Sequence, residues 1–161
     1  MKIRVRTRGL LLWGLIALVL VGILVTVAAC GSESEASSDV ALGETIYVEG
    51  TDAQGTQIAR TTEAGILSQT GCFACHGTDG KGRSIDTALG HFDTPDIRWS
   101  VISQPIPTDD GGTDPAYDPA KFASAAREGI DSGGGQLEPV MPRWQLTDPE
   151  VNALIAYLQT L

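Results

Sequence analysis

The stretch Cys72-Phe73-Ala74-Cys75-His76 decides the fold of this 161-residue chain. It reads C-x-x-C-H, the pattern through which haem is attached covalently to protein. The spacing suits this chemistry, because one turn of backbone brings both thiols to two vinyl groups on neighbouring edges of a flat macrocycle. His76 follows directly, so its imidazole can bind the iron as the proximal ligand. The pentapeptide therefore predicts one haem c, bound through Cys72 and Cys75 and ligated by His76.

Two other uses of paired cysteines compete with haem attachment. A zinc ribbon needs a second pair of ligands, and apart from Cys30 in the N-terminal segment only His91 and carboxylates remain to supply it. A thioredoxin-like redox pair needs a surrounding βαβ unit, and no parallel-strand pattern surrounds Cys72 and Cys75. Haem attachment is the favoured interpretation, with a zinc site or a reversible disulfide as the alternatives.

Met141 is the candidate for the second axial ligand. Apart from the initiator Met1 it is the only methionine, and it lies in Glu138-Pro139-Val140-Met141-Pro142-Arg143-Trp144, next to a glycine-rich connection. A lone methionine is usually core filling, but a rigid loop between two prolines can direct a thioether at a metal. His91 is the competing ligand, although an ordinary loop histidine is the simpler interpretation of Gly90-His91-Phe92-Asp93.

The segment 133–161 resembles the end of class I cytochromes c, in which a Met-Pro loop supplies the sixth ligand and a C-terminal helix with a Tyr-Leu pair closes the fold. Together with the C-x-x-C-H motif, the resemblance covers residues 64–161. It implies the small all-α cytochrome c fold around one covalently bound haem. It also implies that His76 and Met141 are the proximal and distal ligands.

The same resemblance assigns supporting roles near the haem. A ligating histidine needs its other ring nitrogen hydrogen-bonded, and in the family a backbone carbonyl at a Pro-x-Leu step accepts that bond. Thr94-Pro95-Asp96-Ile97 is the matching position, so the resemblance points to Pro95 as the acceptor. Trp144, three residues after Met141, is expected to pack near the haem. Trp99 either does the same or fills the core.

The first helix is hard to place from the sequence. In the family it begins with a Gly-x-x-Ile/Leu-Tyr/Phe pattern and runs directly into the haem motif. Gly43-Glu44-Thr45-Ile46-Tyr47 matches that start, but about two dozen residues too early. We therefore expect the first helix at 63–70 and an inserted hairpin or loop at 45–60.

Later helices have clearer end signals. At Thr94-Pro95 a proline follows a capping residue, which predicts a helix over 94–102. Asp118-Pro119 predicts the start of another helix, which ends at Gly129. The capping box at 147–150 begins a last helix. Its core stripe has helical spacing and consists of Val151, Leu154, Ile155 and Leu158.

The N-terminus carries a targeting signal. Four basic residues precede an uncharged run over 10–27 that ends in Val27-Ala28-Ala29-Cys30. This is typical of a secretory signal, and the cysteine after two small residues resembles a bacterial lipobox, which would make Cys30 the lipidated start of the mature protein. An uncleaved transmembrane anchor is the alternative, since 18 apolar residues are marginally enough to span a membrane.

Either N-terminal interpretation places the body on the extracytoplasmic (periplasmic) face of the bacterial cell membrane. The predicted organisation is a signal peptide or anchor at 1–29, a lipidated cysteine and flexible acidic tether at 30–42, and a monohaem cytochrome c domain at 43–161.

The net charge of the domain limits the kinds of molecule that it is expected to bind. From Cys30 onward the chain has seven basic and 20 acidic residues, a formal net charge of −13. This disfavours nucleic acid and leaves redox proteins as the expected partners. Lys81, Arg83 and Arg143 flank the predicted ligand segments. They either form a less acidic docking surface at the haem edge or are ordinary surface charges.

An imidazole and a thioether together leave the iron no open position, which suits outer-sphere electron transfer and opposes substrate chemistry. We therefore expect a membrane-tethered electron-transfer protein rather than an enzyme. Its extra segments favour a relay subunit of a respiratory or photosynthetic complex, similar in kind to the lipid-anchored monohaem cytochrome subunit of alternative complex III. The alternatives are a freely swinging electron shuttle, and a five-coordinate haem enzyme or gas sensor with Met141 displaced.

Overall fold

The structure is a computed structural model that describes residues 34–61 and 71–161. The chain divides into two compact units, Met1–Ser37 and Ser38–Leu161. The second unit contains the core and every residue of the predicted haem site. Cys30 and the helix expected at 63–70 lie outside the described residues.

The described residues form five helices and three short strand pairs. Helix α1 occupies 34–49, and the later helices are α2 (Phe73–His76), α3 (Trp99–Ile102), α4 (Pro119–Glu128) and α5 (Asp148–Leu158). The antiparallel strand pairs are β1 (Arg60–Thr61) with β6 (Arg143–Trp144), β2 (Ser84–Thr87) with β3 (Gly90–Asp93), and β4 (Ile106–Pro107) with β5 (Thr113–Asp114). The fold is mainly helical, and the all-α prediction omitted these strands.

Helix α1 corrects the prediction for the N-terminal part of the domain. The residues expected to form a flexible tether are helical from 34 onward, and those expected to begin a hairpin are helical to 49. Ile46 and Tyr47 are 1% and 0% exposed, so the burial of these two side chains gives the helix a core-facing side. The Gly43-to-Tyr47 pattern therefore does begin a buried helical segment, at the position where the family pattern was found.

Helix α1 packs closely against α5 through a glycine. A Cβ atom at Gly43 would overlap the Ala153 carbonyl oxygen and would lie 2.7 Å from the Cβ of Tyr157. The rings of Tyr47 and Tyr157 extend this contact, with their centroids 5.3 Å apart. The two backbones approach so closely because Gly43 has no side chain.

Residues 50–59 connect α1 to β1 as a tight loop, one of the two forms expected for the inserted segment. The Asp52 carboxylate accepts hydrogen bonds from the backbone N–H groups of Gln54 and Thr56, at 2.9 and 2.8 Å. An isolated bridge joins Thr51 and Gln57, and Arg60 pairs with Trp144 in the β1–β6 ladder. The loop thus returns the chain to the C-terminal half of the domain.

Helices α4 and α5 confirm their predicted ends. Asp118 caps α4 by accepting from the Lys121 N–H at 2.8 Å, and Gly129 ends it in the left-handed conformation with φ +73°. The Glu150 carboxylate accepts from the Thr147 N–H at 2.6 Å at the start of α5. The predicted stripe of α5 is buried in the core, which comprises Ile46, Tyr47, Ile58, Ile102, Phe122, Ala126, Trp144, Leu146, Val151, Leu154, Ile155 and Leu158.

Helix α3 is shorter than predicted. It begins at Trp99 instead of Thr94, and residues 94–98 are not helical. The Thr94 hydroxyl donates to the Cys75 carbonyl at 2.7 Å, and the Ile97 N–H donates to the Gly80 carbonyl at 2.8 Å. These bonds to the haem motif region replace the capping bonds that the sequence suggested.

No helix within residues 34–61 and 71–161 is both long and apolar enough to cross a membrane. The apolar run over 10–27 that carries the targeting prediction lies outside these ranges.

We predict that Gly43→Ala destabilises the domain by about 2 kcal/mol. Helix propensity favours alanine by about 1 kcal/mol, but the overlap is with backbone, and relieving it by separating the two helices costs about 3 kcal/mol, the upper end for overpacking. Chemical denaturation of both proteins measures the difference. Exposed Glu44 supplies the control: Glu44→Ala should change stability by less than about 0.5 kcal/mol. A stabilising effect of Gly43→Ala would contradict the close crossing.

Candidate haem site

The C-x-x-C-H motif forms the short helix α2 and is held by α1. A Cβ atom at Gly71 would overlap the Tyr47 carbonyl oxygen, so only a residue without a side chain lets the motif lie against the end of α1. The Gly71 N–H donates to the Val48 carbonyl at 3.1 Å, and the Tyr47 hydroxyl donates to the Gly77 carbonyl at 2.6 Å. Helix α1 therefore contacts the motif on both sides of its cysteines.

His76 is fixed in one orientation at the end of α2. His76 is only 7% exposed, and its Nδ1 lies 3.0 Å from the Pro95 carbonyl oxygen. A carbonyl can only accept, so this hydrogen bond places the proton on Nδ1 and leaves the lone pair of Nε2 free. Burial lowers the pKa of His76 and outweighs the opposing effect of the Pro95 carbonyl. A neutral imidazole of this kind is the form that binds a metal.

Cys72 and Cys75 are half-buried thiols. Both are free; burial raises the pKa of Cys72 to about 12 and also raises the pKa of Cys75, where Arg83 acts in the opposite direction. A reversible redox cysteine has a lowered pKa, so this setting opposes the disulfide alternative. The zinc alternative gains no support either, since residues 34–61 and 71–161 contain no group of three or more His, Cys, Asp or Glu able to hold a metal ion.

Two apolar cavities adjoin α2. Their volumes are about 290 and 200 Å³, and they share six lining residues: Cys72, His76, Pro95, Leu137, Met141 and Trp144. Cys75 lines the smaller cavity. The structure thus brings together all the haem-site residues that the sequence analysis named in the described ranges. An apolar space with a few converging polar groups is the usual form of a cofactor site.

Met141 reaches the cavities from a loop of the C-terminal half. We call residues 137–143 the methionine loop. Its Leu137 N–H donates to the Gly129 carbonyl at 2.8 Å, and the Met141 N–H donates to the Glu138 carbonyl at 3.0 Å. Met141 is half-buried, and its side chain borders the same two cavities as His76.

Trp144 and Trp99 have different roles. Trp144 is 6% exposed and lines both cavities, and the Arg60 guanidinium lies 4.7 Å from its ring centroid in a cation–π contact. Trp99 packs edge-on against Phe122, with centroids 6.0 Å apart, and it lines neither cavity. The expected position of Trp144 near the site is therefore observed, whereas Trp99 fills the core.

His91 does not lie at the site. It is exposed in β3, where Nδ1 is 2.9 Å from Asp86 and Nε2 is 3.6 Å from Asp93. The same strand pair does contribute to the smaller cavity, through Ile85 and Phe92. Neither residue was among the expected site residues, although Ile85 and Thr87 alternate with polar residues as in a half-buried strand.

The basic residues beside the motif are not equivalent. Lys81 is exposed and pairs with Asp79 at 3.0 Å, and exposed Arg83 donates to the Ala74 carbonyl. Arg143 is turned inward, where Nη1 donates to the Met141 carbonyl at 2.7 Å. Half-buried Arg143 thus differs from the other two, and the choice between a docking surface and ordinary surface charges stays a prediction.

These residues fit haem c. Both free thiols line the cavities together with a neutral imidazole whose Nε2 is unprotonated, and the remaining lining is largely apolar. Thiols, imidazole and thioether are the donor groups that covalent haem attachment and axial ligation use. A macrocycle bound there would be covered by core side chains from α1, α4 and α5.

Comparison with known proteins agrees with this chemistry. The model of the family described as cytochrome c matches residues 63–161. The cytochrome subunit of fructose dehydrogenase from Gluconobacter japonicus is 35% identical over 98 residues, which are 55% of this chain and 18% of that protein. The chain thus spans less than a fifth of that relative's length. No solved structure matches. The family match covers most of the chain and includes the C-x-x-C-H motif, so the chain belongs to the cytochrome c family. Membership implies covalently bound haem c and supports a role in electron transfer.

Proposed function

We propose that the chain is a class I monohaem cytochrome that transfers electrons through one haem c with His76 and Met141 as axial ligands. The observation that carries the proposal is that both residues line the same two cavities, one from each half of the domain. Bound haem supplies one-electron redox chemistry. The chain attaches it through Cys72 and Cys75 and orients the His76 ring through the Pro95 carbonyl.

The geometry of the donors supports six-coordinate iron. Met141 is the only thioether in the described residues, and His91, the competing ligand, is exposed and paired with carboxylates. Saturated iron exchanges electrons without binding substrate. The apolar lining, with Trp144 among its buried residues, excludes water and so keeps the change in solvation on electron transfer small.

We also propose that the domain is a relay that works with other redox subunits and not an enzyme by itself. The similar protein from Gluconobacter is named as the cytochrome subunit of a dehydrogenase, which supports partners of that kind. More specifically, we propose a subunit of a respiratory or photosynthetic complex, similar in kind to the monohaem cytochrome subunit of alternative complex III.

A membrane tether completes the proposal. The lipobox-like ending at Cys30 would anchor the domain by lipid on the extracytoplasmic face of the membrane, with an uncleaved anchor over 10–27 as the alternative. Electron carriers gain from such tethering, since confinement raises the effective concentration of the domain at a membrane-bound partner.

Met141→Ala should change the iron from six-coordinate to five-coordinate. The variant should lose the weak far-red iron–sulfur absorption band, have a lower reduction potential because thioether ligation favours ferrous iron, and bind carbon monoxide stoichiometrically when reduced. His91→Ala is the matched control and should keep both the band and the resistance to carbon monoxide. An unmodified protein without the band, or one that binds carbon monoxide readily, would favour the enzyme or gas-sensor alternative.

The mature N-terminus should be a lipidated Cys30. Mass spectrometry of protein extracted from membranes should find no peptide that begins before Cys30, and Cys30→Ser should release the domain or leave its signal uncut. An N-terminal peptide containing residues before Cys30 would show that the transmembrane alternative is correct.

Charge beside the haem motif should influence encounter with small redox ions. Lys81→Glu should slow oxidation of the reduced protein by hexacyanoferrate(III) by about fourfold at low salt, because it adds repulsion toward a trianion near the site. Lys121→Glu, an equal change of charge on α4, is the control. The difference should shrink as salt is added. Equal slowing by both variants would show that only net charge matters and that Lys81 is an ordinary surface residue.

A further inference from the structure

The side chain of Arg143 folds back onto the methionine loop. Its Nη1 donates to the Met141 carbonyl at 2.7 Å, and its Nη2 donates to the Leu137 carbonyl at 2.9 Å. One planar guanidinium therefore joins the first residue of the loop to the residue that carries the proposed ligand.

The guanidinium also rests on the end of α4. A Cβ atom at Gly129 would overlap the Arg143 Nε and Cζ atoms, so the group lies against the bare backbone of this glycine. Gly129 already ends α4 in the left-handed conformation and accepts from the Leu137 N–H at 2.8 Å. The contact connects the methionine loop to a rigid helix.

Few backbone hydrogen bonds could hold this loop without the arginine. Pro139 and Pro142 have no N–H to donate, and the bond from Met141 N–H to the Glu138 carbonyl closes only the turn between them. Within the part of the chain that the structure describes, Arg143 forms no ion pair. Its donors are directed instead to the carbonyls of the loop.

We propose that Arg143 is a positioning residue that holds the methionine loop in the conformation presenting Met141 to the haem cavity, and so opposes release of the thioether from the iron. The inference rests on the proposed ligation by Met141. Arginine suits the task because its fork bonds two carbonyls at once, whereas a lysine ammonium is a single point charge on a flexible stem.

The test is Arg143→Lys in the full-length, haem-loaded protein, with Arg127→Lys as the matched control. Arg127 also donates to a backbone carbonyl, that of Leu146 at 2.8 Å, and to Asp148 at 2.7 Å, but it contacts no residue of the methionine loop through these bonds. Two quantities are measured: the rate of carbon monoxide binding to the reduced protein, and the temperature at which the far-red band disappears relative to global unfolding by far-UV circular dichroism.

Arg143→Lys should bind carbon monoxide about tenfold faster, since one charge-assisted hydrogen bond holding the closed loop is lost. Its far-red band should disappear well below the unfolding temperature. Arg127→Lys should lower the unfolding temperature. Its far-red band should persist up to that temperature, and its rate of carbon monoxide binding should equal that of the unmodified protein. A general loss of stability would instead lower the band and unfolding temperatures together in both variants.

Arg143→Gln, which keeps one amide donor, replaces the lysine variant if that variant does not fold. If the unmodified protein has the far-red band and both Arg143 variants lose it at the same temperature as the unmodified protein, the positioning role is overturned and Met141 ligation stands. Absence of the band from the unmodified protein would overturn the ligand assignment, and the positioning role with it.

Discussion

The contact of α1 with both α5 and the C-x-x-C-H segment is the constraint on which the rest of the domain depends. It requires two glycines, because Gly43 places the α1 backbone against α5 and Gly71 places the motif against the end of α1. The Tyr47 hydroxyl adds a hydrogen bond to Gly77 beyond the motif. Through these contacts a four-residue helix, too short to be stable alone, has a defined place in the core.

The candidate haem site joins two halves of the chain that have different ways of holding their proposed ligands. The proximal side is held by backbone: the Pro95 carbonyl fixes the His76 ring, and the Thr94 hydroxyl bonds the Cys75 carbonyl. The proposed distal ligand, Met141, lies in a loop with two prolines, where the guanidinium of Arg143 donates to two loop carbonyls. A basic residue counted as surface charge from sequence is thus part of the loop's internal structure.

The strand pairs, which were not predicted from the sequence, complete the site. β2 and β3 add Ile85 and Phe92 to the smaller cavity, and β1 pairs Arg60 with Trp144. Arg60 then covers the Trp144 ring by a cation–π contact. Strand residues that the sequence did not single out therefore form part of the wall of the apolar site, which shields it from water.

The sequence by itself determined the haem chemistry and the ends of α4 and α5. Covalent attachment needs residues adjacent in the chain, and helix caps are local interactions, so both can be recognised without the fold. Only the tertiary structure decided where α1 lies, because its fit depends on Gly43 meeting Ala153 of a distant helix. It also decided that 94–98 are not helical and that Arg143 points inward, since hydrogen bonds to groups far away in sequence or across a loop override the local pattern there.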